Sequence, residues 1–126
     1  LDNKVRLLIK VRKALRVGGD THSMDDLIGA LKRGEMQAHH NDRAVIVTEI
    51  VQAPRRRFLN LFLVAGDMDA IDELTPKVTE WAFEQGCEFA RAQVRLGFEK
   101  SLKERGWMKT QLIMEYHPHG RRITST

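Results

Sequence analysis

The sequence predicts an α+β domain in which a mixed central sheet is flanked by helices. Three features carry this. Helix-period stretches open the chain, two β-rich runs over 44–51 and 58–65 follow a turn apart, and a further helical pattern then separates the second run from another strand pattern, as in a parallel crossover. With 126 residues, 42% hydrophobic and 30% charged, the chain suits one compact core. We read 1–117 as that single domain and 118–126 as a polar tail.

From Asp2 to Val17, Val5, Leu8, Ile9, Val11 and Leu15 recur near helical spacing among Lys4, Arg6, Lys10, Arg12, Lys13 and Arg16, which predicts a basic amphipathic helix. A strand competes, because Val5, Leu7, Ile9 and Val11 also alternate. Helix is preferred, with Gly18-Gly19 as its stop. Ser23 and Asp26 form a capping pair for a second helix with Leu27, Ile28 and Leu31 as its apolar stripe and Gly34 beyond its end.

The period then changes. Met36 to His40, a turn at Asn41-Asp42-Arg43, and the β-branched run Ala44 to Val51 read as a hairpin. Pro54 and Arg55-Arg56-Arg57 make the next turn, and Phe58 to Ala65 is nearly all apolar, as a strand covered on both faces would be. After Gly66-Asp67-Met68-Asp69 comes a helix whose stripe is Ile71, Leu74, Val78, Trp81 and Ala82, with Gly86 as its stop, or else two short helices with Pro76 in the first turn of the second. Cys87 to Val94 predicts a parallel strand, Leu96 to Arg105 a short helix closed by Gly106, and Lys109 to Tyr116 a last strand with Leu112, Met114 and Tyr116 on one face.

Composition excludes several classes. Leu61 to Ala65, the longest near-continuous apolar stretch, falls far short of the roughly 20 residues a membrane-spanning helix needs. The N-terminal apolar residues are interrupted by Arg6, Lys10 and Arg12, so no signal-peptide core is expected. A lone cysteine, Cys87, permits no intramolecular disulfide or cysteine-cluster metal site and suits a reducing cytoplasm. Lys and Arg number 21 against 17 Asp and Glu, an excess small enough to be only a weak pointer to anionic partners.

The order helix, helix, three antiparallel strands, helix, strand, helix, strand resembles the GNAT fold of acyl-CoA N-acyltransferases, with a truncated first strand. Gly19-Asp20-Thr21-His22-Ser23, Val47-Thr48-Glu49-Ile50, Ala65-Gly66-Asp67, Trp81-Ala82 and Gly106-Trp107 look like the pattern of small GNAT-like proteins carried by bacteriophages and prophages. The resemblance implies that a loop of the form Gln/Arg-x-x-Gly-x-Gly/Ala binds the pyrophosphate of acetyl-CoA through backbone amides. The matching place here is Gly66, Asp67, Met68, Asp69 and Ala70, with one glycine and two acids. Like charges about 4 Å apart repel by about 1 kcal/mol in water, so weak binding and no cofactor are expected, with acetyl-CoA as the donor if the chain is an enzyme. The bland reading of Asp67 and Asp69 is that they cap the following helix.

The resemblance also implies a tyrosine acid four residues before a Gly-Phe pair. Aligning Gly106-Trp107 puts Leu102 there, and leucine cannot protonate a leaving thiolate. Tyr116, the only tyrosine, is expected to be a half-buried sheet residue. Glu49 is the candidate general base, against a reading in which it points to solvent or an arginine, and Asn60 is placed to orient a ligand or bond locally.

His39-His40 and His117-x-His119 offer imidazoles for zinc, but adjacent residues of a strand point to opposite faces, and no metal site is expected. Cys87 reads as packing and Ser23 as a cap, without a nucleophile-elbow motif. Arg12, Lys13, Arg16, Arg55, Arg56 and Arg57 form a candidate basic contact surface, joined by Arg121 and Arg122, for an acidic protein partner or for nucleic acid. The favoured expectation is a noncatalytic binding or structural component of a phage or prophage, in the host cytoplasm or the virion. The alternatives are a divergent acyl-CoA-dependent N-acyltransferase and, more weakly, a nucleic-acid-binding domain.

Overall fold

The computed structural model describes residues 3–120; Leu1, Asp2 and 121–126, with Arg121 and Arg122, lie outside the described residues. The elements run α1 (Asn3–Val17), α2 (Met24–Lys32), β1 (Gln37–His40), β2 (Ala44–Gln52), β3 (Arg57–Gly66), α3 (Met68–Glu84), β4 (Phe89–Ala92) and α4 (Leu96–Glu104). The strands lie in the order β1-β2-β3-β4, antiparallel through β3 and parallel between β3 and β4. The sheet is therefore mixed and carries α1 and α2 on one face and α3 on the other.

The first segment is helical because its buried residues are four apart: Val11 and Leu15 pack with Leu27, Ala30, Met36, Val47, Leu63 and Ala65. The predicted capping box is present, with the Asp26 amide donating to Ser23 Oγ at 3.1 Å and the Ser23 amide to Asp26 Oδ2 at 2.9 Å.

A bulge explains the long apolar run of β3. Val47 pairs with Leu63, but its neighbour Thr48 pairs with Leu61, so Phe62 is an extra residue on β3. Simple alternation would keep Leu59, Leu61, Leu63 and Ala65 on one face. The extra residue instead leaves Leu59 and Leu61 in the α3 core and turns Leu63 and Ala65 into the α1/α2 core.

The structure settles one open alternative and corrects two expectations. Pro76 lies inside one continuous helix rather than between two. Proline in a helix interior costs about 3 kcal/mol, whereas each buried Val, Leu or Ile side chain contributes roughly 1.5–3 kcal/mol. The unbroken helix buries Ile71, Leu74, Val78 and Ala82 against the sheet, and the Thr75 hydroxyl donates to the Ile71 carbonyl at 2.7 Å. The first correction concerns Lys109 to Tyr116, which forms no strand. Alternation alone cannot make one, because no neighbouring strand receives its backbone groups, and Leu112, Met114 and Tyr116 stand exposed. β4 is also shorter than the predicted 87–94.

Candidate active site

The parallel pairing of β3 and β4 is brief. It covers Phe58–Leu61 against Phe89–Ala92, after which β3 continues to Gly66 while the chain after β4 turns into α4. The side of Phe62–Gly66 that faces away from β2 consequently has no partner strand. This leaves an open strand edge whose apex is the Leu61–Ala92 pair and whose far end is the turn into α3. An unpaired strand edge of this kind offers amides and carbonyls to an amide-bearing ligand.

The turn at the far end is built tightly. Gly66 has φ +130°, and a Cβ there would lie 2.2 Å from the Arg43 carbonyl oxygen. The glycine thus admits the close approach of the β1–β2 turn, whose Arg43 carbonyl accepts from the Asp67 amide at 3.0 Å. Asp67 occupies the N-cap position of α3 but makes no side-chain cap, so the helix-capping reading fails for it. Its carboxylate pairs instead with Lys10 and, at 3.4 Å, with Arg43 Nη1. Arg43 also grips Asp69 through two bonds, Nη1 to Oδ1 at 3.1 Å and Nη2 to Oδ2 at 2.7 Å. The Lys10 ammonium, and secondarily Arg43, hold Asp67 below the ordinary carboxylate range; Arg43 does the same for Asp69, which also draws on the Ala70 and Asp69 amides. A small depression of about 90 Å³ at this place is lined by Arg6, Leu7, Lys10, Asp42, Arg43 and Asp67.

The two acids of the turn are visible in the chain, whereas the three cations that face them come from other elements. Lys10 and Arg6 come from α1 and Arg43 from the β1–β2 turn, and only the signal that α1 is basic was visible in the chain. The turn residues Gly66, Asp67, Met68, Asp69 and Ala70 are therefore not a bare negative patch.

At the apex, Asn60 Nδ2 donates to Glu49 Oε1 at 2.9 Å. Register places Glu49 opposite Asn60 and Asn60 opposite Arg91, one residue from the Leu61–Ala92 pair. Glu49 faces neither open water alone nor an arginine partner, and Asn60 bonds locally, to the candidate base itself. Beside this row, Phe58 stacks on Phe89 with centroids 4.9 Å apart, and the Arg91 guanidinium lies 4.5 Å over Phe58. From the α1–α2 connection His22 meets Phe62 edge-on at 4.7 Å.

The remaining candidates fall elsewhere. Arg12, Lys13 and Arg16 are exposed on α1, whereas Arg55, Arg56 and Arg57 belong to the β2–β3 turn and the start of β3. Arg56 pairs with Glu88 and Arg57 Nε donates to the Gln85 carbonyl, so no contact joins the two groups among the described residues. His39 is committed to Thr48 at 3.0 Å and to the Trp81 ring, while its neighbour His40 is exposed. Cys87 is buried in the α3 core, as expected. Tyr116 is 88% exposed, which corrects its placement as a half-buried sheet residue. Leu102, in the position the resemblance assigns to an acid, lies on α4. Among the described residues no helix is long and apolar enough to cross a membrane.

No family model matches this chain, and no curated protein does. Solved structures do. An aminoglycoside acetyltransferase from an uncultured soil metagenomic sample superposes with a TM-score of 0.62 at 10% identity, covering 93% of this chain and 91% of that one. Glucosamine-6-phosphate N-acetyltransferase from Arabidopsis thaliana gives 0.62 at 9% identity, covering 94% and 95%. A protein of Thermus thermophilus gives 0.60 at 16% identity, covering 88% and 91%. These likenesses, with the neutralised turn, overturn the expectation that no cofactor is bound. That expectation took the acids of the turn as uncompensated charge, and Lys10 and Arg43 compensate them. The chain has a GNAT-like fold, the architecture of acyl-CoA N-acyltransferases, with its mixed sheet held between helices.

Proposed function

We propose that this protein is an acyl-CoA-dependent N-acyltransferase. The observation that carries the reading is the open edge of β3 beyond its pairing with β4, with Glu49 and Asn60 at its apex and, at its far end, the α3 turn where Arg6, Lys10 and Arg43 stand beside Asp42 and Asp67. Acetyl-CoA fits that layout by chemistry: Arg6, Lys10 and Arg43 would hold its diphosphate, and the open edge of Phe62–Gly66 would take its amides. When bound, it supplies an activated thioester carbonyl.

The chain's own residues then have two tasks. Asn60 fixes one oxygen of Glu49 and leaves the other to take a proton from an ammonium acceptor, which frees the amine to attack. No tyrosine stands at this edge to protonate a leaving thiolate, so the second proton, which the nitrogen sheds as the amide forms, would go to that thiolate. Catalysis in this reading rests on the base and on positioning.

This reading is preferred to the noncatalytic one because Lys10 and Arg43 offset the acids on which the electrostatic objection to a coenzyme rested, and it leaves the bacteriophage setting resting on the sequence resemblance alone. The test is acetyl transfer from acetyl-CoA to a panel of primary amines, followed by mass spectrometry. A product whose rate drops on Glu49→Gln supports the proposal; no product from any amine, with the protein folded, defeats it.

A further inference from the structure

Resting on the acyltransferase reading, we infer that the acceptor is a small primary amine that also carries an oxyanion, read by Arg91. The row Glu49, Asn60, Arg91 crosses three neighbouring strands on the same sheet face as Phe58 and Phe89. Two interstrand spacings put the Glu49 and Arg91 backbones about 10 Å apart. Both side chains lean inward: Glu49 reaches Asn60, and the Arg91 guanidinium lies over Phe58. The gap between the two charges thus suits a molecule a few ångströms long.

Arg91 is the unusual member. It is exposed at its strand position, stacks on Phe58 at 4.5 Å and approaches Phe89 at 5.6 Å, and has no carboxylate partner among the described residues. Arg12, Arg16, Arg55 and Arg95 also lack one, and what distinguishes Arg91 is its place over two stacked rings in the same row as Glu49 and Asn60. Stacking on a fixed aromatic pair holds the guanidinium plane while leaving its edge N–H groups free, and that edge matches carboxylate or phosphate oxygens in pairs. Glu49, with one oxygen held by Asn60, offers the other to an ammonium. A positive and a negative group facing one open surface define a zwitterionic ligand. Either group alone would select a simpler amine or a simple anion.

The experiment uses β-alanine, O-phosphoethanolamine and ethanolamine, which share an aminoethyl unit and differ in the group at its far end. Binding of each is followed by NMR without any acyl donor, and acetyl transfer from acetyl-CoA is measured in parallel. At least one of the anionic amines is expected to bind and react with kcat/KM at least tenfold above ethanolamine, and which one reports carboxylate or phosphate. Arg91→Gln should collapse that ratio toward one through KM, and Arg91→Lys should restore part of it. Equal handling of ethanolamine and both anionic amines overturns the inference while leaving acyl transfer standing. If nothing is acetylated yet an anionic amine still binds in an Arg91-dependent way, the site survives and the acyltransferase reading falls. Absence of both binding and transfer overturns both.

Discussion

Asn60 donates to Glu49 across the β2–β3 ladder at 2.9 Å, and the pair sits where β3 and β4 begin to part. A carboxylate held through one oxygen keeps its second oxygen in a fixed direction, as a base needs. Glu49→Gln should lower kcat by about 10²–10⁴-fold, the range that a positioned base contributes, with acetyl-CoA affinity little changed. Asn60→Ala should cost less, because the carboxylate remains and only its aim is lost. Steady-state kinetics on both variants, beside circular dichroism, checks the order.

Asp69 competes for the place where an anion would sit. Its carboxylate takes Arg43 and first-turn amides of α3, yet its side chain is 68% exposed and free to move aside. Asp69→Asn should therefore tighten acetyl-CoA binding severalfold, and Arg43→Ala should weaken it by about tenfold, the loss of one charge-assisted bond. Competition titrations with CoA measure both.

Gly66→Ala tests the turn itself. A methyl group 2.2 Å from the Arg43 carbonyl oxygen and 2.6 Å from Ala44 Cα has nowhere to go, and φ +130° is strained for alanine. The expected loss is about 2–4 kcal/mol of folding stability, read by urea denaturation. An unchanged midpoint would show that the β1–β2 turn yields.

His39 gives the fold a pH signature. Burial lowers its pKa, and Thr48, which donates to Gln37 Oε1 at 3.2 Å, accepts from His39 Nε2, fixing the neutral tautomer. The unfolded chain binds the proton first as pH falls. Stability should therefore be full above about 6.5, the unfolded value, and decline as pH falls through the lower folded value. Melting curves between pH 8 and 5 should show the decline, and His39→Gln should flatten it. The carboxylates Asp67, Asp69 and Asp72, lowered by their cationic partners, act in a separate window in which stability is lost at more acidic pH.

Local signals in the chain were enough for α1, α2, β2 and β3, because each rests on a period, a cap or a β-branched run contained in the segment itself. The chain left open whether the helix runs through Pro76, and the strand expected at Lys109 to Tyr116 does not form, for the same reason: both depend on neighbours. Burial of Ile71, Leu74 and Val78 carries the helix through proline, and lack of a paired strand keeps the tail segment irregular. Glu49 was legible as an acid in an apolar strand and Asn60 as a polar residue of the next strand, but not that the two meet, which the register of β2 on β3 decides. The Lys10–Asp67 and Arg43–Asp69 pairs were not, since they join α1 and the β1–β2 turn to the start of α3 across 57 and 26 residues of chain. The Phe62 bulge was equally hidden, because it is a property of two strands in register.

Isothermal titration of the folded protein with acetyl-CoA reaches the central claim most directly. The account expects one molecule bound per chain with micromolar affinity, lost on combining Lys10→Ala with Arg43→Ala. Absence of any saturable heat up to millimolar acetyl-CoA, with the protein's melting curve intact, would contradict it.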